Sequence, residues 1–152
     1  MQLDRIDRKI LAVLQKNGRL PNNELAEQVG LSASPCLRRV KLLEEAGVIQ
    51  KYVALLDAEK VGKSLTLFTR IWLIGQDAKT VDQFTNVILN LPEVVECHLM
   101  AGDCDFLLRV ITADLDDYRK FQIKHLTRKN GVQSIKTEIP MQNIKLTTEI
   151  PL

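Results

Sequence analysis

Apolar residues at Leu3, Ile6, Ile10, Val13 and Leu14 recur at three- and four-residue intervals, which predicts one face of a helix ending near Asn17-Gly18. A second, short helix follows with Leu25, Ala26 and Val29 inward, Asn22 and Asn23 as candidate caps, and Gly30 placed to end it. Ser34-Pro35 reads as an N-cap and first helical position, where a missing N–H is tolerated, and a third helix runs on to Ala46-Gly47. With Cys36 at zero on a wheel of about 100° per residue, Val40 falls near 40° and Leu43 near 340°, while Arg38, Lys41 and Glu45 occupy about 140° to 200°. The third helix therefore has a buried side and a basic, exposed side. Beyond it, VIQKYVALLD is rich in β-formers and is predicted as a strand or wing-like connector through residue 57; Asp57 to Ser64, with Gly62, is read as a hinge.

After the hinge the period changes. LTLFTRIWLI, residues 65–74, is apolar on both faces, as in a strand covered by helices on one side and a partner on the other. A helix is predicted from Thr80 to Leu91, with Val81, Phe84, Val87, Ile88 and Leu91 inward and Pro92 stopping it. Residues 94–101 and 105–112 flank Gly102-Asp103-Cys104 and read as a hairpin with a tight turn. A further helix from Leu115 to about Arg128 presents Leu115, Tyr118, Phe121 and Leu126, and strand-like segments follow near 135–139 and 144–150. The order β-α-β-β-α-β predicts a ferredoxin-like, four-stranded antiparallel sheet with both helices on one face. The fold class is therefore α+β, with a helical unit over residues 1–63 and a sheet unit over 64–152. Trp72 and Phe68 leave large apolar groups on whichever face the helices do not cover, which implies dimerisation.

Charge sharpens this picture. Residues 1–63 carry 11 Lys and Arg against 8 Asp and Glu, and residues 64–152 carry 10 against 11. The basic half is the helical one. Helix, short helix, Gly-containing turn and amphipathic helix is the helix-turn-helix order, whose last helix lies in a DNA major groove. Two adjacent arginines near a helix start are disfavoured by the dipole, and a bidentate contact to a base, worth about 1–3 kcal/mol of discrimination, more than offsets that. The candidate DNA-binding residues are Asn23, Ser32, Ser34, Pro35, Arg38, Arg39, Lys41 and Lys51.

Other chemistry finds little support. Cys36, Cys97 and Cys104 are widely spaced, and Cys97 and His98 would point to opposite faces of a strand, so neither disulfide nor metal site is expected. His98 and His125 lie in no catalytic spacing, and no phosphate-cradling glycine motif occurs. An RNA-binding sheet would need strand aromatics, of which DFLLRVIT has only Phe106. No run approaches the roughly 20 apolar residues of a membrane span, and MQLDRIDRK is too charged for a signal peptide. A cytoplasmic, non-enzymatic protein without cofactor is expected.

The stretch LAEQVGLSASPCLRRVKLLEEAGVIQKYVALLD and the later ECHLMAGDCDFLLRV resemble the Lrp/AsnC family of feast/famine transcriptional regulators, over essentially the whole chain. The resemblance implies a winged helix-turn-helix, a ferredoxin-like effector domain, dimers assembling to octamers or similar discs, and amino-acid ligands at subunit contacts. It places Gly102, Asp103 and Asp105 at effector-loop positions and Leu99, Met100 and Leu115 at apolar positions of the response. Thr137, Glu138, Ile139 and Pro140, from a neighbouring subunit, would complete the cleft, although Pro140 in EIPMQ interrupts a strand and departs from many relatives. A carboxylate beside backbone N–H donors suits an α-amino acid, and the apolar flanks favour leucine, methionine or a similar effector. The competing reading is an amino-acid-sensing module or enzyme whose helical front end docks a protein.

Overall fold

The N-terminal core is built from three helices, α1 (Arg5–Leu14), α2 (Asn22–Val29) and α3 (Ala33–Glu45). The computed structural model describes residues 2–152 and divides them into two compact units, one running up to Leu55 and including Ile144–Leu152, the other spanning Leu56–Asn143. Ile10, Leu11, Leu25, Ala26, Val29, Cys36 and Leu43 form the core of the first unit. All but Leu11 are among the inward positions expected from the spacing, and Leu3, Ile6, Val13 and Leu14 pack partly buried against them. Asp4 caps α1, its Oδ1 accepting from the Ile6 and Asp7 N–H groups at 2.8 Å each, while Asp7 Oδ2 accepts from Asp4 N at 3.1 Å. This reciprocal capping box satisfies backbone donors that would otherwise be orphaned.

The other two helix starts differ from expectation. Pro21, not an asparagine, occupies the α2 N-cap. The Asn22 side chain instead donates from Nδ2 to the Ala33 carbonyl at 2.8 Å and ties the start of α2 to the start of α3. Helix α3 begins at Ala33 behind Ser32, so Pro35 is its third residue rather than its first. It still sits in the first turn, where N–H groups lack an intrahelical acceptor. Gly30, at φ 76°, makes the left-handed exit from α2, a conformation glycine reaches without a Cβ clash.

Residues 48–57 form no ladder, contrary to the strand expected there. β-forming side chains cannot make a strand without a partner edge, and none lies beside them among the described residues. The connector is fastened otherwise: Tyr52 donates from its hydroxyl to Glu44 Oε1 at 2.9 Å, and its ring lies so close to Gly18 that a Cβ there would stand 3.0 Å away. Burial, then the Glu44 carboxylate, pushes the Tyr52 phenol up to about 12. Residues 144–150 form no strand either; they belong with the helical unit, where Ile150 N donates to Gln15 Oε1 at 2.6 Å and Gln15 Nε2 donates to Ile150 O at 3.1 Å.

The second unit has the predicted order: β1 (Leu65–Leu73), α4 (Ala78–Ile88), β2 (Val94–Leu99), β3 (Phe106–Thr112), α5 (Leu115–His125) and β4 (Val132–Glu138). Its sheet runs β2-β3-β1-β4 and is antiparallel throughout. Period-2 alternation sorts the side chains. Leu67, Thr69, Ile71 and Leu73 of β1 and Phe106, Leu108, Val110 and Thr112 of β3 are buried, with Phe84, Ile88, Tyr118, Phe121 and Leu126 in the same core or against it. Phe68, Arg70 and Trp72 with Leu107, Arg109 and Ile111 take the other face and are half-buried. Leu115, expected inward, is 57% exposed. Asp114 caps α5 just before it, and the inward stripe begins at Tyr118.

The buried Thr69 and the half-buried Thr137 would be costly without partners. Thr69 Oγ1 meets the Tyr118 hydroxyl at 2.9 Å, and the same hydroxyl meets Thr137 Oγ1, joining β1, α5 and β4. Replacing Tyr118 by Phe strips both threonines of that shared partner. The second unit is expected to lose about 1–3 kcal/mol, read as a lower urea midpoint by the fluorescence of Trp72, the chain's one tryptophan.

Candidate nucleic-acid interface and effector site

Helix α3 presents Ser34, Arg38 and Lys41 to solvent, with Ser32 and Pro35 exposed at its start. Asn23 is exposed on the first turn of α2, and Lys51 is exposed on the connector. Leu37 and Leu42 are also solvent-facing on α3, so the outer face mixes cations with apolar groups able to touch base edges or thymine methyls.

Arg39 has a different position. Its Nη1 lies 2.7 Å from Asp4 Oδ2 and 2.7 Å from Asp7 Oδ1, with the guanidinium side chain 29% exposed and the Asp7 side chain 5%. On a wheel of about 100° per residue it falls near 300°, beside Leu43, on the flank of the buried side, which its reading as a DNA contact overlooked. Its charge is neutralised at home. The partners Asp4 and Asp7 went unread as functional residues; their signal is the capping-box spacing. Hydrogen bonds from the Asp7 backbone and from Arg39 hold the Asp4 carboxyl below the ordinary aspartate range, and the Arg39 guanidinium is raised in turn by Asp4 and Asp7.

The effector-loop candidates sit on the connection between β2 and β3. Residues 100–105 form a six-residue link rather than the tight turn expected, closed by a bond from Met100 N to Asp105 O at 2.9 Å. Asp105 Oδ2 accepts from Leu73 N at 2.7 Å and Oδ1 from Gln76 Nε2 at 2.8 Å. Both carboxylate oxygens thus hold the loop against the end of β1. Trp72 Nε1 donates to the Asp103 carbonyl at 2.7 Å, and Cys104 is buried beneath. Leu99, Met100, Gly102 and Asp103 remain exposed. Gln76 was missed, since a lone glutamine after a strand carries no spacing signal.

The remaining candidates lie elsewhere on the sheet. Leu65 pairs with Thr112 and Ile71 with Phe106, so Leu115 follows the opposite end of β3 from the loop, roughly 20 Å away at strand rise. Thr137 is half-buried toward the helices through Tyr118. Glu138 takes the open face, 3.1 Å from Arg70 Nε and 3.2 Å from Lys136 Nζ, and these cations, Arg70 first, hold its carboxyl down. Ile139 is exposed and Pro140 half-buried just after β4 ends. One chain therefore does not bring the loop and Leu115 into a single cleft.

Residues 3–50 match the winged helix-turn-helix DNA-binding family, and residues 66–150 match the Lrp/AsnC ligand binding domain. The chain belongs to the Lrp/AsnC family. Among Lrp/AsnC relatives, the leucine-responsive regulatory proteins of Escherichia coli K12 and Klebsiella pneumoniae are each 43% identical over 97% of this chain and 90% of their own length. A transcriptional regulator of Neisseria meningitidis, solved in complex with L-Met, superimposes with a TM-score of 0.95 at 40% identity, covering 99% of this chain and 97% of that one. An AsnC family regulator from Agrobacterium tumefaciens gives 0.92 at 41% identity, covering 98% and 97%. An Lrp/AsnC protein is a DNA-binding transcriptional regulator with an amino-acid-binding domain, not an enzyme. No helix among the described residues is long and apolar enough to cross a membrane.

Removing Arg39 leaves the nearly buried Asp7 carboxylate without its counter-charge. Arg39→Ala is expected to lower the thermal midpoint of the helical unit by several degrees. The linkage has a sign. The Asp4 carboxyl, held down in the folded chain partly by Arg39, contributes stability above its unfolded pKa, about 4, and loses it as pH falls through the folded value. The gap between wild type and Arg39→Ala should therefore be full at pH 7 and narrow below about pH 4, as measured by circular dichroism melts across that range.

Proposed function

We propose that residues 1–63 seat α3 in the major groove of duplex DNA and that residues 64–152 hold copies of the chain together around a small apolar amino acid, leucine or methionine. The observation that carries the DNA half is the outer face of α3. There Arg38 and Lys41 are free of carboxylate partners among the described residues and stand beside exposed Ser34. Ser32, Pro35, Asn23 and Lys51 flank them as backbone contacts, and Arg39 serves by positioning α3 rather than by touching the duplex.

The separation of the effector candidates supports a site shared between subunits. Leu99, Met100, Gly102 and Asp103 belong to one end of the sheet and Leu115 to the other, so a second copy must supply what one chain keeps apart. Thr137, Glu138, Ile139 and Pro140 join from the neighbour. Asp105 acts as the strut that keeps loop N–H groups aimed outward, while Asp103 offers a free carboxylate to the ligand ammonium. The half-buried Phe68, Trp72, Leu107 and Ile111 on the open face favour burial against another sheet, giving a dimer that assembles further, in keeping with an octamer. A cytoplasmic location suits a regulator that reads free amino acid and duplex DNA together. Leucine and methionine are favoured by the name of the curated relatives, leucine-responsive regulatory protein, and by the L-Met complex of the Neisseria meningitidis neighbour.

DNA affinity is expected to fall steeply with salt, and Arg38→Ala to weaken it by about tenfold or more, as read by fluorescence anisotropy; affinity indifferent to salt would contradict the groove reading. Leucine or methionine should raise the melting temperature in a thermal-shift screen of the twenty amino acids. Asp105→Ala should abolish that rise while basal DNA binding persists. Calorimetry showing unchanged affinity in the variant would remove the loop from the site.

A further inference from the structure

Helix α1 carries a cationic surface for which the recognition helix gives no reason. Arg5, Arg8 and Lys9 are exposed on it, and Lys16 is exposed just past its C-cap. At about 100° per residue the four occupy a single arc of about 100° with Ala12 at its centre. Ile6, Ile10 and Leu14 take the opposite side, in or against the core. The acids of this segment are withdrawn: Asp4 and Asp7 both turn to Arg39. Among the described residues no carboxylate lies within ion-pair distance of any of the four cations.

Such a face works against the helix that bears it. Arg5 and Arg8 stand near the positive end of the dipole, and the spacings from Arg5 to Arg8 and Lys9 set like charges together. Solvation alone does not require this: α2 exposes Glu24 and Glu27, and α3 sets Glu44 and Glu45 among its cations. From Arg5 to Lys16 the stripe runs about 16 Å, enough for several phosphates on a strand that offers one per about 3.4 Å. Because α1 and α3 turn their apolar sides into one core, their outer faces diverge. A duplex seated on α3 does not lie along α1.

We propose that the outer face of α1 is a second, sequence-independent seat for the phosphate backbone of duplex DNA, used by DNA flanking the site that α3 holds. It rests on the reading of α3 as the groove helix. Four donor-only side chains with no acceptor among them suit phosphate oxygens, contacts that fix position and carry no base sequence.

The test uses the full chain with Arg5→Gln, Lys9→Gln and Lys16→Gln combined. Anisotropy is measured on a duplex of about 15 base pairs selected by the wild-type chain from a random pool, and on the same sequence centred in about 100 base pairs. The short duplex should bind within about twofold of wild type, while the long one loses about tenfold and its log–log salt slope shrinks by about 2–3. A charge-keeping set, Arg5→Lys, Lys9→Arg and Lys16→Arg, should bind the long duplex as wild type does, and equal melting temperatures exclude a folding defect. Unchanged long-duplex affinity and slope would overturn the proposal, as would equal losses on both duplexes, which would assign α1 to the seat of α3. Sedimentation of the wild type, but not the glutamine variant, with phosphatidylserine vesicles at unchanged long-duplex affinity would overturn it in favour of a membrane surface. A failure of Arg38→Ala to weaken short-duplex binding bears on the groove reading instead.

Discussion

A single guanidinium nitrogen decides what the N-terminal unit shows to the outside. Arg39 Nη1 stands 2.7 Å from a carboxylate oxygen of Asp4 and 2.7 Å from one of Asp7, joining the start of α1 to the middle of α3. Asp7 is nearly buried, and a charge so placed is tolerated only with its partner in contact. The clamp fixes the roll of α3. Arg38, one residue earlier, is thereby turned to solvent, and the acids of α1 are turned away from it. Both cationic faces of the unit follow from one internal ion cluster.

The second unit answers a different constraint: two helices cover only one side of four strands. Thr69, Tyr118 and Thr137 close the covered side with hydroxyls in series. The open side alternates apolar groups with ion pairs, Arg70 with Glu138 across β1 and β4 and Arg109 with Glu96 across β3 and β2 at 2.7 Å. Half-burial of Phe68 and Trp72 among these charges keeps the face soluble while leaving it complementary to another surface of mixed character. The loop after β2 is pinned at two points, Asp105 by Leu73 N and Gln76, and Asp103 by Trp72.

Much of this was legible in residue spacing. The 3.6-residue stripes of α1, α2 and α3 placed most of the helical core, because burial imposes that period directly, whereas β1, apolar on both faces, left open which of them the helices cover. The element order yielded the sheet topology. Capping was less legible: Asn22 and Ser34 are good caps by type, yet Asn22 was taken by a contact with Ala33 and α3 started two residues earlier than Ser34-Pro35 suggested. Residues 48–57 and 144–150 had strand composition without a strand, because pairing depends on an edge that composition does not encode. At the candidate site, residue type alone ranked Arg38 and Arg39 together, whereas a turn of about 100° separates a free cation from a clamped one. Asp105 likewise had the right chemistry for a ligand ammonium, but both its oxygens had nearer donors.

The link between Gln15 and Ile150 runs through amide atoms at both ends: the side-chain amide of one residue reads the peptide group of the other. The aliphatic side chain of Ile150 takes no part in it. Sequence drift at the carboxyl-terminal end is therefore cheap except for proline at 150, which would erase the N–H, while position 15 carries the whole chemical demand. An anchor of this kind constrains where the tail lies without constraining what it is made of.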